Sequence, residues 1–175
     1  MKTLVTYYSQ TGNTKKVAEA IFGEIEGPKE IIPIGQVASV DQYDVIFVGS
    51  PIEQHGLVKM VRSFLQDGGR GKKIALFITH AAPEHSEMAA SYVSRCKSLV
   101  SESSELIGFF NCQGELSESL AKRMLNSGNA QLRRFAEMRI LTLRQPDEQR
   151  IENSRQFARE MNEKINACLA GKLVA

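Results

Sequence analysis

Residues 4–14, Leu-Val-Thr-Tyr-Tyr-Ser-Gln-Thr-Gly-Asn-Thr, leave this chain few ways to fold. An apolar run from Leu4 to Tyr8 stops at a polar loop, and Val17, Ala18, Ile21, Phe22 and Ile25 then recur at helical spacing from Thr14 onward. A strand, a tight loop and a helix in that order aim backbone N–H groups and the positive end of a helix dipole at one point, which suits a phosphate. Ser9, Thr11 and Thr14 add hydroxyls, Asn13 adds an amide, and Gln10 and the single glycine, Gly12, complete the loop. No lysine or arginine lies within residues 9–14, so such a site relies on dipoles rather than on counter-charge.

The rest of the chain alternates in the same way. Strand signals recur at 30–34, 44–49, 73–79 and 106–112, and helical patterns lie at 14–25, 57–66 and 86–102. Only residues 35–43 separate the second and third strands, room for one helical turn at most. After Pro146-Asp147, a final helix carries Ile151, Phe157, Ala158, Met161, Ile165 and Leu169 on one stripe. This pattern predicts an α/β fold, a three-layer doubly wound parallel sheet of five strands with right-handed crossovers. Residues 1–175 are expected to form a single domain, with two further short helices, 116–126 and 130–141, inserted at about 115–146.

Other phosphate loops fit poorly. A Walker A loop needs a second glycine followed by Lys-Ser/Thr, and here Gly12 is followed by Asn-Thr-Lys-Lys. A dinucleotide fingerprint needs three glycines, and this loop has one. A terminal monophosphate remains the better match. Ser-Gln-Thr-Gly-Asn-Thr after an apolar strand resembles the phosphate loop of the flavodoxins, which hold the phosphate of FMN. The resemblance implies strand order 2-1-3-4-5, with a ligand beyond the carboxyl ends of the strands at the switch point between strands one and three. Gly49-Ser50-Pro51 is similar to the Gly-x-Pro opening of that family's flavin loop. The resemblance therefore assigns cofactor contacts to Ser9–Thr14, to Ser50, Pro51, Ile52, Glu53, His55 and Gly56, and to Thr79, His80, Ala81, Ala82 and Pro83.

Departures from the family sharpen the reading. The chain has no tryptophan, and neither flavin loop carries a tyrosine, so Ile52, His55, His80 or Pro83 must cover the ring. A partly uncovered ring admits a second planar substrate. All three histidines, His55, His80 and His85, fall in these two loops. They are read as surface groups, or as imidazoles that stabilise a reduced flavin near neutral pH, and not as metal ligands. Cys112 at the end of the fifth strand reads as a buried apolar residue, and no catalytic residue is assigned.

Flavodoxins are usually strongly acidic, whereas this chain has a net charge of +2. The excess lies in residues 115–175, with 11 Lys/Arg against 8 Asp/Glu, seven of the former being arginines between Arg133 and Arg159. They form either a solvated surface or a dock for an acidic redox partner, and the insertion at 115–146 is a possible homodimer contact. Nucleic acid is not expected, because no aromatic residues interleave the arginines in a recognisable motif. No apolar run reaches 18 residues, so no membrane span is expected. Cys96, Cys112 and Cys168 lack a C-x-x-C spacing, and the N-terminus shows no leader pattern, which points to reduced thiols in a cytoplasm. Three functions remain open: an FMN electron carrier serving a partner enzyme, an FMN-dependent NAD(P)H:quinone-type reductase, and a flavin-free interaction domain.

Overall fold

The computed structural model describes the backbone of residues 1–173 and the side chains of residues 1–167; Cys168 and Leu169 lie outside the described side chains. The strands are β1 (Thr3–Tyr7), β2 (Lys29–Pro33), β3 (Val45–Glu53), β4 (Gly56–Leu57), β5 (Lys73–His80) and β6 (Glu105–Gln113). The helices are α1 (Asn13–Glu24), α2 (Lys59–Ser63), α3 (Glu87–Lys97), α4 (Glu118–Leu125), α5 (Ala130–Glu137) and α6 (Glu148–Leu173). The sheet order is β2-β1-β3-β5-β6, every pair parallel, with β4 antiparallel to the end of β3. Counted over the five long strands, this is the expected 2-1-3-4-5.

The central strands are apolar on both faces because both faces are covered. Leu4, Ile46, Val48, Leu76 and Ile78 pack toward Val61, Leu65, Tyr92 and Cys96 from α2, the turn after it and α3. The alternate residues Val5, Phe47, Ala75 and Phe77 pack toward Val17 and Ile21 of α1 and Phe157 and Met161 of α6. Three layers result, and the carboxyl ends of β1, β3, β5 and β6 share one rim.

Several boundaries differ from the periodic reading. β3 continues past Gly49 to Glu53, because Ile52 pairs with Leu57 and Glu53 with Gly56 in a hairpin. The predicted helix over 57–66 is α2 followed by a π-helical turn at Phe64–Gly68. The predicted helix over 130–141 is α5 followed by a 3₁₀ turn at Met138–Thr142. The 3₁₀ turn leaves Ile140 exposed, and Leu125 at the end of α4 is exposed as well. In the insertion, Leu116, Ala121 and Ala136 cluster with Ala81, which packs it at the carboxyl end of β5.

Among the described residues one buried side-chain polar atom lacks a hydrogen-bond partner. Thr6 in β1 is fully buried and its hydroxyl makes no hydrogen bond. An unsatisfied buried hydroxyl costs about 1–3 kcal/mol. Thr6→Val keeps the shape and removes the polar atom, so the variant is expected to be more stable by an amount in that range. Urea unfolding checks this: the midpoint rises at constant m. A lowered midpoint would show that the hydroxyl has a partner after all.

Candidate functional site

The loop after β1 turns through Gly12, whose φ of 93° lies in the left-handed region that glycine adopts without steric cost. Gly12 is the N-cap of α1 and offers no side-chain cap, and the helix's first turn holds no acidic residue. The first-turn N–H groups therefore lack an internal acceptor. Ser9 Oγ accepts the Gly12 N–H at 3.1 Å and keeps its own proton to donate. Thr14, in the first turn of α1, is buried, and its hydroxyl meets that of Thr79 near the end of β5 at 2.9 Å. One proton of that pair remains available to a ligand. Asn13 turns away instead: its Nδ2 donates to the Glu115 carbonyl at 2.9 Å, locking the loop to the segment after β6. A Cβ on Gly114 would lie 2.9 Å from that same amide nitrogen, which explains a glycine there.

The second loop is largely strand. Ser50 is fully buried, its hydroxyl donating to the Pro51 carbonyl at 2.8 Å. Pro51, Ile52 and Glu53 continue β3 to the two-residue hairpin turn Gln54–His55, both at positive φ, 47° and 66°. The type of turn that matches strand twist requires this conformation, but Asn and Gly are its usual residues. His55 is exposed and is pinned from α3: its ring faces Tyr92, and its carbonyl accepts Arg95 Nη1 at 2.9 Å.

In the third loop His80 is buried. Its Nδ1–H donates to the Ala82 carbonyl at 2.9 Å, Nε2 lies 3.1 Å from Asn111 Oδ1, and its ring meets the edge of Tyr92. Glu84 closes the loop. Its carboxylate accepts the Gln113 N–H at 2.9 Å and pairs with Arg150 at 2.8 Å, while Arg150 also reaches Asp147 at 2.8 Å. The Arg150 backbone N–H, its guanidinium and the Gln145 amide hold the Asp147 carboxyl below the usual carboxylate range. The start of α6 is thereby clamped to the ends of β5 and β6. Burial pushes the Cys112 thiol up to about 12 and that of Cys96 up to about 11, so both are inert apolar groups at neutral pH.

These loops enclose a cleft of ≈ 100 Å³. Of the residues assigned from sequence, it brings together Ser9, Gln10, Thr11, Asn13, Thr14, Pro51, Ile52, Glu53, Thr79, His80 and Ala81. Gly12, Ser50, His55, Gly56, Ala82 and Pro83 do not line it. A fourth wall, Gly114–Ser117 with Leu120, was not assigned from sequence, although Cys112-Gln113-Gly114 at a strand's carboxyl end was the available signal. Tyr92, which backs both histidines, carried no signal, since α3 meets these loops only in the folded chain. A larger hollow of ≈ 570 Å³ lies on the β2 side of the loop, among Tyr7, Tyr8, Ile34, Gln36 and Met60. It shares Ser9 and Gln10 with the cleft and adds Gly12, but lacks Thr14 and Thr79 and so lacks the hydroxyl pair. Among the described residues no group of three His, Cys, Asp or Glu could hold a metal ion. No helix among them is long and apolar enough to cross a membrane.

The donor set fits a phosphate group. Uncapped N–H groups, the Ser9 hydroxyl and the Thr14–Thr79 pair converge without a fixed cation. Above them Pro51, Ile52, Ala81, Leu116 and Leu120 give apolar faces to a flat ligand. A doubly wound sheet with such a loop at its switch point defines a class of mononucleotide-binding α/β domains. Residues 4–159 match the family model for the flavodoxin domain. The chain belongs to that family, whose members are flavin-binding, electron-transferring domains. It is 32% identical over 170 residues to the flavodoxin-like domain-containing protein BilS of Clostridioides difficile (strain CD3), covering 92% of this chain and 96% of that one. In structure it is similar to oxidised flavodoxin 2 from Bacillus cereus, with a TM-score of 0.62 and 20% identity over 94% of this chain and 99% of that one. A flavodoxin from the Archaea gives a TM-score of 0.58 at 18% identity, over 95% and 99%.

Proposed function

We propose that the chain binds one FMN, its phosphate on Ser9–Thr14, and exchanges electrons with a partner redox protein in the reducing cytoplasm. The observation that carries this reading is the Thr14–Thr79 hydroxyl pair beneath an uncapped helix N-terminus at the switch point. Family membership and the flavodoxin-like neighbours support it.

Bound FMN supplies a centre that takes up and releases electrons. The chain's own residues do the rest. The loop N–H groups, Ser9 and the threonine pair bind and neutralise the phosphate. Pro51, Ile52 and Leu120 orient the ring by apolar contact, and Leu116 helps to exclude water. His80, held by Ala82 and Asn111, fixes the β5 loop against Tyr92. The closed volume is below the ~300 Å³ typical of small-molecule pockets, so the ring lies partly on the open side, within reach of a partner.

That openness favours one second reading. His80 carries the only aromatic ring among the described cleft-lining residues, so a second planar molecule such as a quinone has access to the flavin. One experiment separates the readings. The FMN-titrated protein is expected to show a protein-bound flavin spectrum and to oxidise NAD(P)H no faster with a quinone than without. Quinone-stimulated turnover would establish the reductase, and an unchanged free-flavin spectrum at tens of micromolar would sink both.

A further inference from the structure

The 3₁₀ turn after α5 presents an apolar strip beside the cleft. Met138, Ile140, Leu141 and Leu143 are all exposed, Ile140 to 73% and Leu141 to 62%. The other side of the same turn is tied to the cleft wall. Arg139 donates from Nε to the Leu116 carbonyl and from Nη2 to Glu115 Oε1, both at 2.9 Å. The Leu116 N–H donates to Thr142 Oγ1 at 3.0 Å, the Glu115 N–H to the Gln145 carbonyl at 3.0 Å, and the Arg144 N–H to Glu115 Oε2 at 2.9 Å. A segment so held cannot fold its leucines inward, and Glu115 and Leu116 themselves line the cleft.

The segment that carries the strip holds an excess of positive charge. Residues 115–146 hold six Lys/Arg against three Asp/Glu; Glu115 and Glu118 are engaged by Arg139 and Lys122, which leaves the exposed Glu137 as the one acid facing four arginines without an ion pair among the described residues. Arg123, Arg133, Arg134 and Arg144 make no ion pair among the described residues. By contrast Arg139, Arg150, Arg155 and Arg159 are spent on internal pairs. An apolar centre with an arginine rim is the anatomy of a protein interface.

We propose that residues 138–144, with Arg133 and Arg134, dock a redox partner protein through an acidic, apolar-centred face, bringing it against the cleft wall. This rests on the electron-transfer reading above. Charge complementarity selects the occupant. A second copy in an isologous contact would set this patch on itself, arginine facing arginine. A membrane surface is a poorer match, because the strip is a single turn rather than an amphipathic helix with a long buried face.

The test uses a plant-type [2Fe–2S] ferredoxin, a strongly acidic redox protein, as the probe. Fluorescence anisotropy follows its binding to the full chain, with and without FMN, from about 20 to about 300 mM NaCl. The wild type is expected to bind, more weakly as salt rises. The R133E/R134E/R144E variant should bind ~10-fold more weakly or worse at low salt. I140S/L141S should weaken binding by a similar ~10-fold while leaving the salt slope unchanged, and K59E/R62E on α2 should bind as the wild type does. No binding by the wild type, or equal loss in K59E/R62E, overturns the proposal. So does a wild-type dimer, seen in sedimentation velocity, that I140S/L141S dissociates. Co-sedimentation with phosphatidylserine vesicles that R133E/R134E/R144E abolishes assigns the patch to membranes and also overturns it. Docking by the FMN-free chain reads the surface alone, so a chain that fails to bind FMN removes the electron-transfer reading without silencing this measurement.

Discussion

FMN is expected to bind this chain at least ~100-fold more tightly than riboflavin, because on the proposed reading the loop after β1 holds the phosphate. A hydrogen bond to a charged group is worth roughly 1.5–3 kcal/mol, and each 1.4 kcal/mol is about a factor of ten. Riboflavin forfeits the Ser9 hydroxyl, the available proton of the Thr14–Thr79 pair and the first-turn N–H groups together. Thr14→Val isolates one of these. It keeps the buried shape while leaving the Thr79 hydroxyl without its 2.9 Å partner. FMN affinity is expected to fall ~10-fold or more, and riboflavin affinity to stay where it was. Fluorescence quenching on titration measures both. Equal affinities for the two flavins would show that the loop does not read the phosphate. A variant that weakens both alike would show that Thr14 shapes the ring side instead.

The second large effect is structural. Gly49 sits in the central strand β3, paired with Tyr7 on β1 and with Phe77 on β5. A Cβ there would lie 2.3 Å from two atoms of the Phe77 ring and 3.0 Å from the Tyr7 Cβ. Phe77 is fully buried among Phe47, Ala75 and the α1 and α6 side chains, so the ring has no room to retreat. Gly49→Ala is expected to cost about 1–3 kcal/mol or more by overpacking. For a domain of this size that lowers Tm by roughly 2–4 °C per kcal/mol. Adding Phe77→Leu should recover part of the loss, because the two sites share the same space. An unchanged melting curve for the single variant would remove the steric account of the glycine.

The sequence and the folded chain settle different things here, and the difference is one of range. Periodicity is local: Leu4–Tyr8, the run through Phe47 and the run through Phe77 read as buried strands because alternate faces of a parallel sheet are both covered. The phosphate-type loop, with its one glycine at φ 93° before a helix, follows from the same local signals, whereas the strand order was implied only by the family resemblance. Resemblance of six loop residues and of Gly49-Ser50-Pro51 to a family carried the rest, and the match over residues 4–159 agrees.

What lay beyond local pattern was decided by long-range pairing. The continuation of β3 to Glu53 depends on Ile52 meeting Leu57, which turns an expected loop into a hairpin and lifts His55 out of the cleft to face Tyr92. The Gly114–Leu120 wall exists because Asn13 reaches Glu115 across 102 residues, a contact that no window of sequence contains. The arginines are identical in type and cluster in one stretch, yet Arg150 and Arg139 are consumed holding Glu84 and Glu115, while Arg134 and Arg144 form no ion pair among the described residues. Composition counts a charge; only the folded chain shows whether a carboxylate already stands beside it. Residues 4–14 by themselves determined what kind of site this chain builds, and tertiary packing decided which side chains wall it and which surface beside it remains open.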